Sequence, residues 1–97
     1  MSQLYINLPV SDVPKATAFY DALGFNLNSQ FSNEKASAMM YGNDFSVMLL
    51  SRDFFSGFLP LHKVIADSHT TTEVLNALEF ESREAVDVFF NKAIAAG

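Results

Sequence analysis

A strand-like segment followed at once by an amphipathic helix occurs twice in this sequence, and that repetition restricts the possible folds more than any other feature. In the first unit, residues 4–10 alternate between two sets of side chains with the period of two that a β-strand requires. Asp12 then stands where an N-cap carboxylate is expected, and Gly24 stands where a left-handed helix end is expected. Between these two residues the apolar side chains recur at helical spacing, at Val13, Ala16, Phe19, Tyr20 and Leu23.

The second unit begins with a predicted strand at residues 72–80, and Ser82 follows it as an N-cap. The helix after Ser82 carries an apolar stripe, which we expect to face a sheet together with Phe19 and Tyr20. The members of this stripe are Val86, Phe89, Phe90, Ala93 and Ile94.

Three further strands are predicted between the two units, at residues 25–32, 35–42 and 45–52. Turn-forming residues separate them at 33–34 and 42–44. The order is β-α-β-β-β and then β-α, without the strict alternation of a parallel sheet. It therefore indicates an α+β fold rather than a doubly wound one.

A chain of 97 residues has room for one hydrophobic core, so we predict a single domain at 1–97. This domain divides into a first βαβββ module at 1–52, a connecting loop at 53–71 and an incomplete second module at 72–97. We expect a mixed sheet with helices on one side of it.

The net charge of −5 and the scattering of the six Lys and Arg residues exclude several classes of function. Phosphate binding needs clustered cations, so we expect neither nucleic acid nor an anionic membrane as a partner. The sequence contains no cysteine, which excludes disulfides, Fe–S clusters and cysteine nucleophiles. Because no signal-like run follows Met1 and no segment approaches membrane-spanning length, the predicted location is cytoplasmic.

Two stretches of the sequence resemble the vicinal oxygen chelate superfamily, which includes glyoxalase I, bleomycin-resistance proteins and extradiol dioxygenases. The first stretch is the opening strand with its exit at residues 6–13, and the second is the motif F-Y-x-x-L-G-F at residues 19–25. Residues 92–97 are also similar to the helix end that precedes the sixth strand of that family. The resemblance implies two βαβββ modules, of which this chain would contain the first and part of the second.

The resemblance also implies a divalent metal that side chains of both modules hold as a Lewis acid. The positions that correspond to three of its ligands are Tyr5, Met48 and Leu75, and none of these side chains suits the metal. The fourth position falls in a strand that the chain would lack. We therefore predict no metal and no cofactor, and we assign no catalytic residue.

The same correspondence places four predicted ligand-binding residues, Tyr5, Asn7, Met48 and Leu75, on the concave face of the sheet. Tyr5 and Asn7 would orient a ligand by hydrogen bonds over an apolar floor. In the alternative interpretation, Tyr5 packs in the interior and a neighbour satisfies its hydroxyl.

Three hypotheses about function follow from these residues. The first is a protein that binds a small apolar or oxygen-bearing molecule without a metal of its own, as in the bleomycin-resistance branch. The second is a lyase or isomerase related to lactoylglutathione lyase, or a dioxygenase-like enzyme, that is active only with further C-terminal strands or a partner chain. The third is a structural remnant that binds no ligand.

Other residues whose side chains could take part in binding or catalysis lie outside the predicted cavity. His62 and His69 are spaced for neither a helical nor a strand metal pair, so we expect both to be exposed loop residues. The apolar patch at 54–61 is interpreted as a lid or a dimer contact. A carboxylate of Glu79 or Glu81 could act as the base for proton abstraction beside a carbonyl. We expect instead that both lie on a solvated strand edge.

A homodimer is the predicted assembly. The strand at 72–80 would present an unpaired edge, and exposed edges pair readily with another chain. Phe89 and Phe90 would also be incompletely covered by the rest of the chain. A two-fold partner could cover both features.

Overall fold

The computed structural model describes residues 3–72 and 74–97 and confirms the predicted α+β fold. Within the described residues none of the helices is both long enough and apolar enough to cross a membrane. The elements, in chain order, are β1 (Leu4–Val10), α1 (Val13–Ala22), β2 (Asn26–Leu27), a 3-10 helix (Ser29–Phe31), β3 (Ala36–Tyr41), β4 (Phe45–Ser51), α2 (Arg52–Ser56) and α3 (Arg83–Ala96).

The four strands form one mixed sheet in the order β1-β4-β3-β2. β1 is parallel to β4, whereas β3 is antiparallel to both β4 and β2. In this register Leu8 lies beside Leu49, and Asn7 lies beside Met48. Because neighbouring side chains on paired strands point the same way, the sheet has two distinct faces. We call them the helix-covered face, which contains Leu8 and Leu49, and the opposite face, which contains Asn7 and Met48.

The hydrophobic core lies between the helix-covered face and the helices α1 and α3. Met39 and Leu49 are completely buried there, and burial of one such side chain stabilises the fold by about 1.5–3 kcal/mol. Leu23, Phe25 and Val47 complete the buried cluster. Partly buried side chains from both helices pack against it, among them Ala16, Phe19, Tyr20, Phe89 and Ala93.

α1 begins and ends as its sequence predicts. The Asp12 side chain accepts a hydrogen bond from the backbone N–H of Lys15 at 3.0 Å, which satisfies one of the free donors at the helix start. Gly24 has a φ of +100°, a conformation that a residue with a Cβ rarely adopts. The chain can therefore turn sharply between Leu23 and Phe25, and both side chains enter the core.

The strand predicted at 25–32 is much shorter in the structure, because a local cap competes with it. β2 contains only Asn26 and Leu27. The Asn28 side chain then accepts a hydrogen bond from the backbone N–H of Gln30 at 3.1 Å and starts the 3-10 helix. Asn side chains often divert the backbone from a sheet in this way.

The prediction of a strand at 72–80 is wrong for the residues that the structure describes there, 72 and 74–80, and Glu73 lies outside them. The alternating pattern suits an extended backbone, but a strand also needs the hydrogen-bonding groups of a neighbour. No described strand pairs with this segment. It is anchored instead by Phe80, whose ring centroid lies 5.1 Å from that of Phe89.

α3 begins at the predicted N-cap, since the Ser82 hydroxyl accepts a hydrogen bond from the backbone N–H of Ala85 at 3.1 Å. Its buried stripe, however, differs from the predicted one. Ala85, Phe89 and Ala93 are half-buried, whereas Phe90 is 60% exposed. The small alanines on either side of Phe89 let this stripe approach the rest of the helix layer closely. Val86 and Ile94 are therefore exposed beside Phe90.

α2 begins with the Ser51 hydroxyl as its N-cap. This hydroxyl accepts a hydrogen bond from the backbone N–H of Phe54 at 3.3 Å. α1 and α3 lie on one side of the sheet, as predicted. The short α2 instead brings Phe55 next to Asn7 of the opposite face.

Candidate ligand-binding site

Three of the four predicted ligand-binding residues share the opposite face of the sheet. In the parallel pairing of β1 with β4, Tyr5 lies beside Ser46 and Asn7 lies beside Met48. Tyr5 and Asn7 are two positions apart on one strand, so their side chains point to the same side. This part of the predicted arrangement follows from the strand period together with the register.

A depression of about 280 Å³ lies on this face between β1, β4 and the chain around α2. Four of its five lining residues are apolar, and three of them come from α2 and the turn that follows it. The fold creates the depression because Ser51 caps α2 directly at the end of β4, which turns the chain back over the sheet. The lining residues are Asn7, Leu50, Phe55, Phe58 and Leu59.

Asn7 is the one polar side chain that lines this depression. Its amide can donate two hydrogen bonds and accept others. Among residues 3–72 and 74–97 it has no side-chain hydrogen-bond partner. The arrangement is therefore an apolar wall with one free amide, which matches the usual composition of a small-molecule site.

Tyr5 lies outside the depression, at the outer edge of the sheet. Its side chain is 49% exposed, and its hydroxyl donates a hydrogen bond to the Gln3 side-chain oxygen at 3.2 Å. The hydroxyl thus has a neighbour, as the alternative interpretation expected. The ring, however, does not occupy a buried interior.

Met48 and Leu75 differ in their positions. Met48 is half-buried on the same face as Asn7. Leu75 is 89% exposed in the irregular segment before α3, and it does not line the depression. The structure therefore does not bring Leu75 to the other three predicted residues, because the strand that would have carried it has no partner.

The sequence alone does not mark Leu50, Phe55, Phe58 and Leu59 as ligand-binding residues. A signal for three of them was present, since they belong to the apolar patch at 54–61. That signal marked an apolar loop but could not show that the loop meets Asn7. The contact between this loop and Asn7 depends on the direction that the chain takes after the N-cap of α2.

The side chains at the positions of the family's metal ligands do not suit a divalent metal. Tyr5 offers a phenol bonded to Gln3, Met48 a thioether and Leu75 an alkyl group. Hard and borderline divalent cations prefer imidazole and carboxylate ligands. Across residues 3–72 and 74–97, no three His, Asp or Glu side chains are grouped so as to hold a metal ion.

The other candidate residues are exposed and lie apart from the depression. His62 and His69 lie on the surface, as predicted. The Asp67 carboxylate accepts a hydrogen bond from the backbone N–H of His69 at 3.0 Å and so shapes the turn. Glu79 and Glu81 are exposed, although they lie in an irregular segment and not on a strand.

The fold is an α+β module with an apolar depression on the opposite face of its sheet. The sequence at residues 4–43 matches the family described as bleomycin resistance protein-like N-terminal. These residues contain β1, α1, β2 and β3 and carry both motifs of the predicted resemblance.

Two solved structures share the fold over nearly all of the chain. A hypothetical protein from S. aureus is 29% identical with a TM-score of 0.76, covering 100% of this chain and 70% of its own. A glyoxalase/bleomycin resistance protein/dioxygenase family enzyme from Burkholderia phytofirmans PsJN is 20% identical with a TM-score of 0.69. That alignment covers 96% of this chain and 71% of the enzyme. Among curated proteins no match is found.

These findings confirm the predicted resemblance to the vicinal oxygen chelate superfamily. The likeness covers the sequence at residues 4–43 and the fold of the chain.

Proposed function

We propose that this protein binds a small apolar molecule that carries an oxygen acceptor, and that the depression beside Asn7 is its site. The observation that supports the proposal most is the free Asn7 amide at an otherwise apolar wall. The likeness to bleomycin resistance protein-like sequences also favours a binding role.

The proposed ligand would place its apolar part against Phe55, Phe58 and Leu59. Phe58 is 70% exposed, so a ligand on this side chain would remove apolar surface from water. Its oxygen would accept a hydrogen bond from the Asn7 side-chain N–H. The volume of about 280 Å³ suits a molecule of about one ring with a short substituent.

The wall itself contains no acidic, basic or nucleophilic side chain. These residues would therefore recognise a ligand and carry out no reaction step. An aromatic and aliphatic surface gives affinity, while a single amide gives orientation.

The first experiment compares acetophenone with ethylbenzene as probes, because they differ mainly in the carbonyl oxygen. Amide correlation NMR should show shifts at Asn7, Leu50, Phe55 and Leu59 with acetophenone, at about millimolar affinity for so small a molecule. Asn7→Ala should weaken acetophenone binding by about threefold to tenfold, the effect of one hydrogen bond. It should leave the binding of ethylbenzene unchanged.

Asn91→Ala, on the exposed side of α3, is the matched control for the loss of an amide. It should change neither probe's affinity. Shifts confined to residues outside the depression, or equal losses for both probes in Asn7→Ala, would show that this wall is not the site.

We also propose that the protein forms a homodimer, with the sheet edge at β1 as the contact. β1 is a terminal strand of seven residues, whereas the other terminal strand, β2, has two. A long free edge offers backbone donors and acceptors to a second chain. The free edge thus lies at β1 instead of at the irregular segment 74–80.

A further inference from the structure

A second concavity, of about 480 Å³, lies on the other side of the sheet, between α1 and the strands β2 and β3. Val13, Thr17 and Asp21 form its helical wall, since residues four apart lie on one face of a helix. Leu27 and Met39 contribute to its opposite wall and floor. We call this concavity the α1 groove.

The groove exists because the helix layer stops before the last strand. Met39 on β3 is fully buried, whereas Leu27 on the neighbouring strand β2 is 47% exposed. Apolar side chains of α1 and the strands therefore remain accessible along one edge of the core. The volume falls within the range of small-molecule sites, about 300–1,000 Å³.

The charged residues that line the groove are both acidic. They are Asp21, on α1, and Glu34, in the loop before β3. No Lys, Arg or His lines it, and neither carboxylate has a hydrogen-bond partner among residues 3–72 and 74–97. The net charge of −5 adds to the negative potential of this surface.

The stability of the fold does not explain the charge of Asp21. This residue lies in the last turn of α1, where the helix dipole disfavours a negative charge. The polar groups deeper in the groove are already paired, since Thr17 Oγ1 lies 2.7 Å from both Ser37 Oγ and the Val13 carbonyl oxygen. The Asn33 side-chain oxygen also accepts a hydrogen bond, from the backbone N–H of Lys35 at 2.8 Å. The charged groups of the groove that lack a partner among the described residues are the two carboxylates.

We propose that the α1 groove binds an amphipathic organic cation, a molecule with one apolar body and one ammonium or amidinium group. The apolar body lies against Leu27, Val13 and Met39, and the cation lies between Asp21 and Glu34. This site is separate from the depression beside Asn7, because the two occupy opposite faces of the sheet.

Three probes with a phenyl ring at the end of a four-carbon chain test the proposal: 4-phenylbutylamine, 4-phenylbutanol and 4-phenylbutyrate. At about pH 7 the first is a cation, the second is neutral and the third is an anion. We expect the amine to shift the amide signals of Thr17, Asp21 and Leu27 and to bind about fivefold more tightly than the alcohol. The carboxylate should bind more weakly than the alcohol, and added salt should reduce the difference between amine and alcohol.

The double variant Asp21→Asn/Glu34→Gln should abolish the preference for the amine and leave the affinity of the alcohol unchanged. The matched control is Glu79→Gln/Glu81→Gln, which also removes two negative charges but lies outside the groove. The control should keep the preference. If both double variants lose it equally, only the net charge attracts the amine, and the proposal is wrong. Shifts confined to the residues around Asn7 would also overturn it, while leaving the proposed function intact.

Discussion

Tyr20 lies in a row of aromatic side chains that joins α1 to the sheet. Its ring meets that of Phe19 at 5.3 Å and that of Phe25 at 5.2 Å, both in edge-to-face geometry. Such pairs add about 0.5–1.5 kcal/mol beyond the area that they bury. Burial raises the pKa of the Tyr20 hydroxyl, because an environment with less water disfavours the phenolate.

The raised pKa of Tyr20 predicts a loss of stability in alkali. The unfolded chain loses the tyrosine proton near pH 10, whereas the folded chain retains it to higher pH. The contribution of this group is therefore fully present below about pH 10 and falls as the pH rises through the folded pKa. Urea unfolding of Tyr20→Phe between about pH 8 and 11.5 should show a shallower fall than the unsubstituted protein.

Tyr5→Phe is the control for this measurement, because the Tyr5 hydroxyl is exposed. The Tyr5→Phe variant should retain the pH dependence of the unsubstituted protein. If Tyr20→Phe retains it as well, the buried hydroxyl of Tyr20 does not cause the alkaline loss.

At the scale of elements, α3 has two apolar stripes with different surroundings. Ala85, Phe89 and Ala93 face the interior, and the Phe89 ring lies 6.5 Å from that of Tyr41 on β3. Phe90, beside Phe89 in sequence, is largely exposed. Adjacent residues on a helix point about a quarter-turn apart, so a small rotation of α3 decides which stripe is buried.

Paired substitutions on α3 test which stripe carries the packing. Phe89→Ala should lower the free energy of unfolding by about 2 kcal/mol, somewhat less than for a fully buried ring. Phe90→Ala should change it by less than about 0.5 kcal/mol. The gain in helix propensity is the same in both, so the difference measured by urea unfolding isolates the packing. Equal losses would contradict the register of α3.

At the scale of the whole molecule, the two edges of the sheet differ in their capacity to pair. The short β2 and the 3-10 helix after it leave little strand at one edge. β1 leaves a full strand at the other, although Pro9 within it lacks a backbone N–H. The missing N–H of Pro9 weakens pairing at this edge but does not prevent it.

The proposed homodimer can be tested by light scattering at micromolar concentration, which should give twice the mass of one chain. Tyr5→Lys should shift the protein toward the monomer, because a charge at a strand edge opposes pairing. Val64→Lys, at an exposed loop position, adds the same charge and should leave the dimer unchanged. A monomer at all concentrations, or a dimer that only Val64→Lys disrupts, would exclude the contact at β1.

Part of the candidate site could be predicted from the sequence, because it depends on residues that are close to one another in the chain. The period of two placed Tyr5 and Asn7 on one face, and Met48 joined them because β4 pairs with β1 in the corresponding register. Leu75 does not join this face, because a strand at residues 74–80 needs a neighbouring strand to pair with. The alternating pattern of its side chains does not provide one. The depression forms only because α2 lies over Asn7. These two parts of the chain are more than forty residues apart in sequence, so local patterns do not show that they meet.

The sequence by itself determined the features that depend on neighbours within a few residues: the caps of Asp12 and Ser82, the turn at Gly24, and the order of helix and strands up to β4. These follow from backbone sterics and from hydrogen bonds across three or four positions. Only the tertiary structure decided that Phe89 and not Phe90 is buried, and that the apolar residues after Ser51 meet Asn7. In each case the alternatives have nearly the same free energy from interactions between neighbouring residues. Packing between distant segments of the chain therefore determines which alternative is adopted.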